Sequence, residues 1–419
     1  MTGPTRDHHV DATAPRVVLG VSGGIAAYKA CELLRRLTES GHDVTVVPTA
    51  AALAFVGAPT WSALSGKPVS AEVWESVHEV PHVRIGQQAD LVVVAPATAD
   101  LLAKAAHGLA DDLLTNTLLT ARCPVVYAPA MHTEMWENPA TSDNVATLRR
   151  RGAIVLEPAE GRLTGADTGK GRLPDPAEIF EAARDVLARG HRAAETDLAG
   201  RRIVVSAGGT REYLDPVRFL GNRSSGLQGV ALARAAAARG AQVTLVAANV
   251  ALPAPAGVRV VDVETTAQLR DAVLTAAAEA DAVVMAAAPA DFRPDSSSDT
   301  KIKKSDDGAA PQLTLVQNPD ILAELVATRT RPGQIIVGFA AETGDAHGSV
   351  LEHATAKLRR KGCDLLVVND VSGGKVFGSP DNEAVVLRPD GSATPVPHGS
   401  KSALAHVVWD QVSSNWQDV

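Results

Sequence analysis

The same local pattern opens two separate stretches of this chain, and that duplication limits the fold more than any other feature. From Arg16 the sequence runs RVVLGVSGGIAAYKACELLRRLTESGHDVTVVPTA: a β-branched run, a Ser-Gly-Gly turn, an amphipathic stretch, a Gly stop and a second β-branched run. This is the pattern of one βαβ unit. In the second half, RRIVVSAGGTREYLDPVRFLGNRSSGLQGVALARAAAARGAQVTLVAAN repeats the order of strand, Gly-rich turn, helix, stop and strand, with a long insertion ahead of the helix. A further pair, ADLVVVAPATAD at 89–100 and ADAVVMAAAPAD at 280–291, agrees in length, in its flanking Ala-Asp pairs and in its apolar centre. Strands that are continuously Val, Ile and Leu, rather than alternating, belong to parallel sheets covered on both faces. The expected fold class is therefore α/β, with two Rossmann-like domains, each a mostly parallel sheet flanked by helices.

The boundary is expected where the helix EIFEAARDVLARG gives way to the polar stretch HRAAETDLAG, near Thr196 to Ala199. That leaves a loose tail over 1–15, a first domain over 16–198 and a second over 199–419. With 419 residues, 45% of them hydrophobic and 21% charged, the chain has material for two globular domains and is not a disordered one. Its formal net charge of -8 provides no basic field for nucleic acid, so any phosphate site must be local. Cys31, Cys123 and Cys363 form neither a CxxC pair nor a zinc-spaced cluster. This excludes a disulfide framework and fits a reducing cytoplasm. No stretch has the apolar length of a membrane span, and the polar opening residues lack the core of a signal peptide.

A Gly-rich turn between a buried strand and a helix is an anion site, because glycine admits backbone N–H groups to a phosphate and the helix N-terminus adds partial positive charge. Both halves carry one, at Ser22-Gly23-Gly24 and at Ala207-Gly208-Gly209-Thr210. Neither is a Walker A loop, and neither completes the dinucleotide fingerprint. The second strands end in VVPTAAA and LVAANVA, without the acidic residue that holds the ribose of NAD. Thr49 at the first of these ends suits the phosphate of a mononucleotide such as FMN, and equally suits a helix cap. Pro96, Thr98 and Asp100 fall at the carboxyl end of a strand, where open α/β sheets bind ligands. PVVYAPAMH ends its strand in Met131 and His132, and a methionine beside an aromatic-rich turn is more often core than cofactor wall. His82 has the intrinsic pKa for proton transfer near neutrality, although a lone histidine is more often structural or exposed. Lys301, Lys303 and Lys304 lie in a Ser/Asp/Lys segment that reads as a mobile surface loop with a solvated charge run.

SGGIAAYK, PHVRIG, ADLVVVAPATADLLAK, PAMHTEMW and GADTGKGRL, followed by SAGGTREYLDPVRFLGNRSSG, AAAPADFRP, KIKK, NPDI, VGFAAET and KGCDLLVVNDV, closely resemble the bacterial bifunctional phosphopantothenoylcysteine decarboxylase/phosphopantothenate-cysteine ligase family of coenzyme A biosynthesis. The resemblance runs through essentially the whole chain after the tail. It implies a flavodoxin-like flavin decarboxylase domain followed by a ligase domain. In the first, FMN oxidises the cysteine moiety of the substrate, CO2 leaves the thioaldehyde, and the hydride returns to the enethiol. By this carry-over Ser22, Gly23, Gly24 and Thr49 face the flavin phosphate, and Pro96, Ala97, Thr98 and Met131 lie toward the ring. His82 matches the family's essential histidine, the base of thiol oxidation.

Three departures from the family pattern follow from the same resemblance. His132 stands where the family has an Asn that holds the substrate carboxylate, and a ring N–H can still donate there. Gly165 stands where the substrate flap supplies a proton-donating cysteine, leaving His132 and Asp167 as the nearest substitute acids. Leu227 replaces a common Lys. For the ligase half the resemblance implies that phosphopantothenate attacks CTP to give an acyl-cytidylate, with a divalent cation such as Mg2+, and that the cysteine amine then displaces CMP. Asn222 matches the pantothenate side. Asp291, Lys301, Asn318, Pro319, Asp320, Ile321, Phe339, Lys357 and Lys361 match the nucleotide side. The implied partners are small molecules and further copies of the chain, with ligase domains as dimers and decarboxylase domains in a larger assembly. The missing flap cysteine opens a second reading, an active ligase fused to a flavin-binding domain with impaired decarboxylase activity.

Overall fold

The computed structural model describes residues 14–69, 81–162, 168–303, 312–329, 331–342, 349–370 and 381–417. The chain divides into two compact units, Met1–Glu195 and Thr196–Val419.

The first unit is built on a five-stranded parallel sheet of β1 (Arg16–Val21), β2 (Asp43–Pro48), β3 (Leu91–Ala97), β4 (Val125–Pro129) and β5 (Ile154–Val155), in the order β2-β1-β3-β4-β5. This is the flavodoxin-like order, which reverses direction between β1 and β3. Successive residues of β1 serve opposite faces. Val17, Leu19 and Val21 join Leu33, Leu34 and Leu37 of helix Ala30–Glu39 and Ile179 and Ala183 of helix Pro176–Arg189. Val18 joins Val92, Val94, Leu101 and Leu114 on the other side. Each fully buried leucine contributes on the order of 2 kcal/mol, so a sheet sealed on both faces explains the unbroken apolar runs. A short antiparallel hairpin of β6 (Ala159–Arg162) and β7 (Thr168–Arg172) precedes the last long helix.

The second unit has an eight-stranded sheet. Its parallel part comprises β8 (Arg202–Gly208), β11 (Gln242–Ala248), β12 (Val258–Val263), β13 (Ala282–Met285), β16 (Ile335–Glu342) and β17 (Leu365–Asp370). The antiparallel strands β18 (Asp381–Leu387) and β19 (Ala393–Ser400) complete the order β12-β11-β8-β13-β16-β17-β18-β19. The parallel part has the dinucleotide-fold order, with its reversal between β8 and β13. Helix Leu227–Ala238 is apolar nearly all round because it is sandwiched: one side packs on β8 and β11, the other on the last helix, Lys401–Gln417, whose buried Trp409 donates its ring N–H to the Leu232 carbonyl at 2.9 Å. At the end of this helix the fully buried Arg239 pairs with Asp197 and, at 2.8 Å, with Asp410, and donates to the His406 carbonyl.

Two antiparallel ribbons leave the carboxyl ends of β8 and β13: β9 (Arg211–Tyr213) with β10 (Phe219–Gly221), and β14 (Phe292–Pro294) with β15 (Leu315–Gln317). The Lys301 segment, expected as an unpacked loop, begins on this second ribbon and is fastened to the turn of the first. Ser298 N–H donates to the Leu214 carbonyl at 2.9 Å, and Ile302 N–H to the Asp215 carboxylate at 3.1 Å. Burial by itself would raise the Asp215 pKa, but the backbone donors of Val217, Ile302 and Arg218, with the Arg218 charge, hold it below the usual carboxylate range. Lys304 lies outside the described residues.

Candidate functional sites

In the first unit three turns meet at the carboxyl ends of β1, β2 and β3. Ser22 is buried, and its hydroxyl donates to the Pro96 carbonyl at 2.7 Å while accepting from Thr98 N–H at 3.0 Å. It therefore clamps β1 to the buried Pro96-Ala97 end of β3. A Cβ on Gly23 would come within 2.3 Å of the Ala51 Cβ and 2.9 Å of its carbonyl carbon, so only glycine admits the β2 turn. Gly24 begins the helical run Ile25–Lys29, which continues into helix Ala30–Glu39, and no side chain caps it. The uncapped N–H groups face a ledge where a Cβ on Gly24 would meet only Thr98 Cγ2, at 3.6 Å. Thr49 and Thr98 accept from Ala52 and Leu101 N–H as helix caps, which leaves each hydroxyl proton to donate. Ile25 and Tyr28 beside this ledge are 72% and 59% exposed.

Met131 is half-buried at the end of β4, and His132 beside it is exposed. The β7 strand docks here: Met131 N–H donates to the Gly171 carbonyl at 2.9 Å, and a Cβ on Gly171 or Gly169 would strike the Met131 carbonyl or Thr133 Oγ1. Lys170 between these glycines binds Glu157 at 2.6 Å, and Arg149 binds the same carboxyl at 2.7 Å. Burial would raise the Glu157 pKa, and the two cations lower it on balance. The alternating glycines of TGKGR are the sequence signal for this docked stem. Asp167 and Gly165 lie outside the described residues.

His82 stands apart. Its helix, Pro81–Gln88, packs against helix Leu113–Thr120 at Gly86, and the His82 carbonyl accepts from Thr120 Oγ1 at 2.8 Å. The ring Nδ1 is buried without a hydrogen-bond partner, and among the described residues no hydrogen bond joins the ring to the Ser22 group. Burial pushes the thiols of Cys123 and Cys363 up to about 11 and raises that of Cys31, so all three are held neutral.

In the second unit a cavity of about 980 Å3 opens at the β8/β13 reversal. Asn222, Asp291, Asn318, Pro319, Asp320, Ile321, Phe339, Lys357 and Lys361 all line it; Lys301 is not on the lining and lies exposed in the segment after β14. The lining also includes Met285 at the end of β13, Ala286 to Ala288 after it, and Phe339 to Ala341 in β16. Buried Asn318 donates to the Ala290 carbonyl at 2.8 Å and accepts from Arg293 at 3.1 Å. Asp320 caps helix Ile321–Ala327 and pairs with Lys361; burial raises its pKa, but Lys361 and the Ala323 N–H outweigh that and lower it. Arg223, Lys357, Arg360, Lys361 and Lys401 set five cations against the carboxylates of Asp291 and Asp320 on the lining. Sequence reading missed Arg223, Arg360 and Lys401.

At the end of β11, where an NAD-binding fold keeps its acid, Asn249 has a φ of 51°, and its amide donates to the Gly209 and Glu264 carbonyls, both at 2.9 Å. Among the described residues no group of three His, Cys, Asp or Glu side chains is placed to hold a metal ion, and no helix is long and apolar enough to cross a membrane.

Residues 5–188 match the Flavoprotein family model, and residues 198–415 match the model of the DNA/pantothenate metabolism flavoprotein C-terminal domain. The coenzyme A biosynthesis bifunctional protein CoaBC of Mycobacterium bovis is 61% identical over 403 residues, covering 95% of this chain and 96% of its own. The CoaBC protein of Vibrio cholerae is 44% identical over 397 residues, with 94% and 96% covered. The solved C-terminal domain of a CoaBC protein is 33% identical, covers 54% of this chain and 100% of its own, and has a TM-score of 0.45. The reading with an impaired decarboxylase gains no support from these matches. The chain belongs to the family of bifunctional coenzyme A biosynthesis proteins, enzymes that carry a phosphopantothenoylcysteine decarboxylase and a phosphopantothenate-cysteine ligase on one polypeptide.

Proposed function

We propose that the second unit joins cysteine to 4'-phosphopantothenate at the expense of CTP, and that the first unit decarboxylates the product to 4'-phosphopantetheine with FMN. The observation that carries this reading is the cavity at the β8/β13 reversal, where every ligase candidate except Lys301 converges. In the first step a carboxylate oxygen of phosphopantothenate attacks the α-phosphorus of CTP, pyrophosphate leaves, and the acyl-cytidylate forms. In the second the cysteine amine attacks the acyl carbon and CMP leaves. Lys357, Arg360 and Lys361 neutralise the triphosphate, Asn318 and Asp320 orient the nucleotide end, Phe339 offers a ring face to the base, and Asn222 meets the pantothenate arm. Asp291 would help hold a divalent cation, which would neutralise the triphosphate.

The ledge of the first unit fits the phosphate of a mononucleotide: Gly24 presents an uncapped helix start, and Thr49 and Thr98 retain hydroxyl protons to donate. FMN, when bound, supplies the two-electron chemistry of the decarboxylation. Ser22 fixes the Thr98 turn, Met131 backs the flavin ring, and His132 donates to the substrate carboxylate. His82, with a buried unpartnered Nδ1, takes the thiol proton once a substrate reaches it. His132 or Asp167 returns the proton that the family's flap cysteine would deliver.

The exposed Ile25 and Tyr28 support closure of the ledge by further copies of the chain. The exposed Val217, Phe219, Phe292, Leu313 and Leu315 around the two ribbons support a ligase dimer, in which the tethered Lys301 serves the partner's triphosphate. Free thiols on all three cysteines suit a reducing cytoplasm.

Mass spectrometry of the purified protein with phosphopantothenate, cysteine, CTP and Mg2+ tests the proposal. Accumulation of phosphopantetheine is expected. Arrest at phosphopantothenoylcysteine would overturn the first-unit reading, and unchanged phosphopantothenate would overturn the second.

A further inference from the structure

Glu212 stands in β9, 4% exposed, and no step of the reading above uses it. A carboxylate is seldom buried to this degree unless its hydrogen bonds are used. Its Oε1 accepts from Thr266 N–H at 2.9 Å and from Thr266 Oγ1 at 2.8 Å, at the first residue of helix Thr266–Ala277. Thr266 Oγ1 lies 2.9 Å from Thr210 Oγ1, and Thr210 Oγ1 accepts from Ala290 N–H at 2.9 Å. Both threonines are buried, and none of the three residues is on the lining of the ligase cavity.

The proton order along this line has one solution. The Thr266 hydroxyl donates to Glu212, so toward Thr210 it can only accept; Thr210 therefore donates to Thr266, and a lone pair remains for Ala290 N–H. The line is polarised from the carboxylate and ends on the backbone of segment 289–291, which borders the cavity. Lining residues hold the rest of that segment. Asn222 donates to the Pro289 carbonyl at 2.8 Å, Asn318 Nδ2 to the Ala290 carbonyl at 2.8 Å, and Asn318 N–H to the Asp291 carbonyl at 2.9 Å. The Thr210 hydroxyl adds an attachment from outside the lining. Ala290 is itself buried, so without that hydroxyl its N–H would lose its acceptor.

We propose that Glu212, Thr266 and Thr210 are positioning residues of the ligase reaction: their line of hydroxyls fixes segment 289–291 between Asn222 and Asn318, and so sets Asn318 and the Asp291 side chain against the nucleotide. This rests on the ligase reading above, in which Asn318 and Asp291 serve CTP and its cation. The test follows pyrophosphate release by the full chain with phosphopantothenate, CTP and Mg2+. It reads kcat and the KM for each substrate in the native protein, Thr210→Val, Thr210→Ser, Asn318→Ala and the double variant Thr210→Val with Asn318→Ala.

Thr210→Val keeps the shape of the side chain and removes the acceptor. It raises the KM for CTP about tenfold and leaves kcat and the KM for phosphopantothenate within about threefold. Thr210→Ser, which returns the hydroxyl, stays within about twofold of the native protein in all three. In the Asn318→Ala background Thr210→Val adds about twofold or less to the KM for CTP, because the group it acts through is gone. Further along the line, Thr266→Val and Glu212→Leu raise that KM about threefold, whereas Thr266→Ser and Glu212→Gln, which keep the hydroxyl and the Oε1 acceptor, do not. These pairs carry the same comparison if Thr210→Val fails to fold. Equal effects within each pair, additive losses in the double variant, or a fall confined to kcat overturn the proposal. A native protein that releases no pyrophosphate overturns the ligase reading itself, and is distinguished by failing before any variant is compared.

Discussion

The two units begin alike and diverge in how each site is enclosed. In both, an Asp at the start of the second central strand accepts from the first residue of the first: Arg16 N–H donates to Asp90 and Arg202 N–H to Asp281, each at 2.7 Å. In both, a serine near the end of the first strand accepts from a backbone N–H beyond the second, Ser22 from Thr98 at 3.0 Å and Ser206 from Ala287 at 3.1 Å. Removing β12 from the second sheet leaves the neighbours β11-β8-β13-β16-β17, the same order as β2-β1-β3-β4-β5. The second unit adds an edge strand, an antiparallel pair and two ribbons. Those additions, with the start of the last helix, bring Asn382, Lys401, Asn222 and Asn318 to the cavity lining, whereas the first unit offers a ledge flanked by exposed Ile25 and Tyr28. A common βαβ opening thus recurs at both reversal points. The appended elements of the second unit supply part of its cavity lining.

The comparison breaks most sharply at Gly23. Gly23→Ala drives a Cβ into Ala51, and is expected to abolish bound flavin absorbance and lower decarboxylation by more than about a hundredfold while ligase turnover persists. A ligase that fails with it would show the two sites to be coupled. On the other side, Arg239→Met strands Asp197 and Asp410 and should cost the ligase unit about 3 kcal/mol, read as an earlier urea transition of that unit with flavin retained. Lys301→Ala, outside the cavity of its own chain, should slow acyl-cytidylate formation about tenfold, and mixing it with an inactive Lys361→Met protein should recover activity if the lysine serves a partner. His132→Asn is the mildest, altering decarboxylation by about threefold or less, since either side chain can donate one hydrogen bond to a carboxylate. A much larger loss would mark His132 as the proton donor.

The repeat, the Gly-rich turns and most of the ligase lining were legible because each lies in a contiguous motif whose residue types declare their chemistry: NPDI supplies a buried amide, a cap and an apolar floor in four successive residues. Strand order was not legible. It depends on crossovers that no local pattern encodes, and the extra β12, VRVVDV, looks in sequence like any other β-branched strand. Lys401 was hidden because the cavity recruits it across a large sequence separation, through a Gln228 side chain that bonds a backbone carbonyl. The fastening of the Lys301 segment was hidden for a related reason: Asp215 reads as a turn residue, and its second carboxylate oxygen is spent on a segment far along the chain.

The ion pairing of Arg239 sets the terms on which this gene can be cut in two. Asp197 belongs to the stretch that looks like a linker, and Leu198 is fully buried in the core of the second unit. An open reading frame begun at Ala199 would encode a ligase with an empty slot in its core and a buried guanidinium short of one carboxylate. One begun at Thr196 would keep both. A free-standing second unit that keeps this packing therefore starts upstream of Asp197.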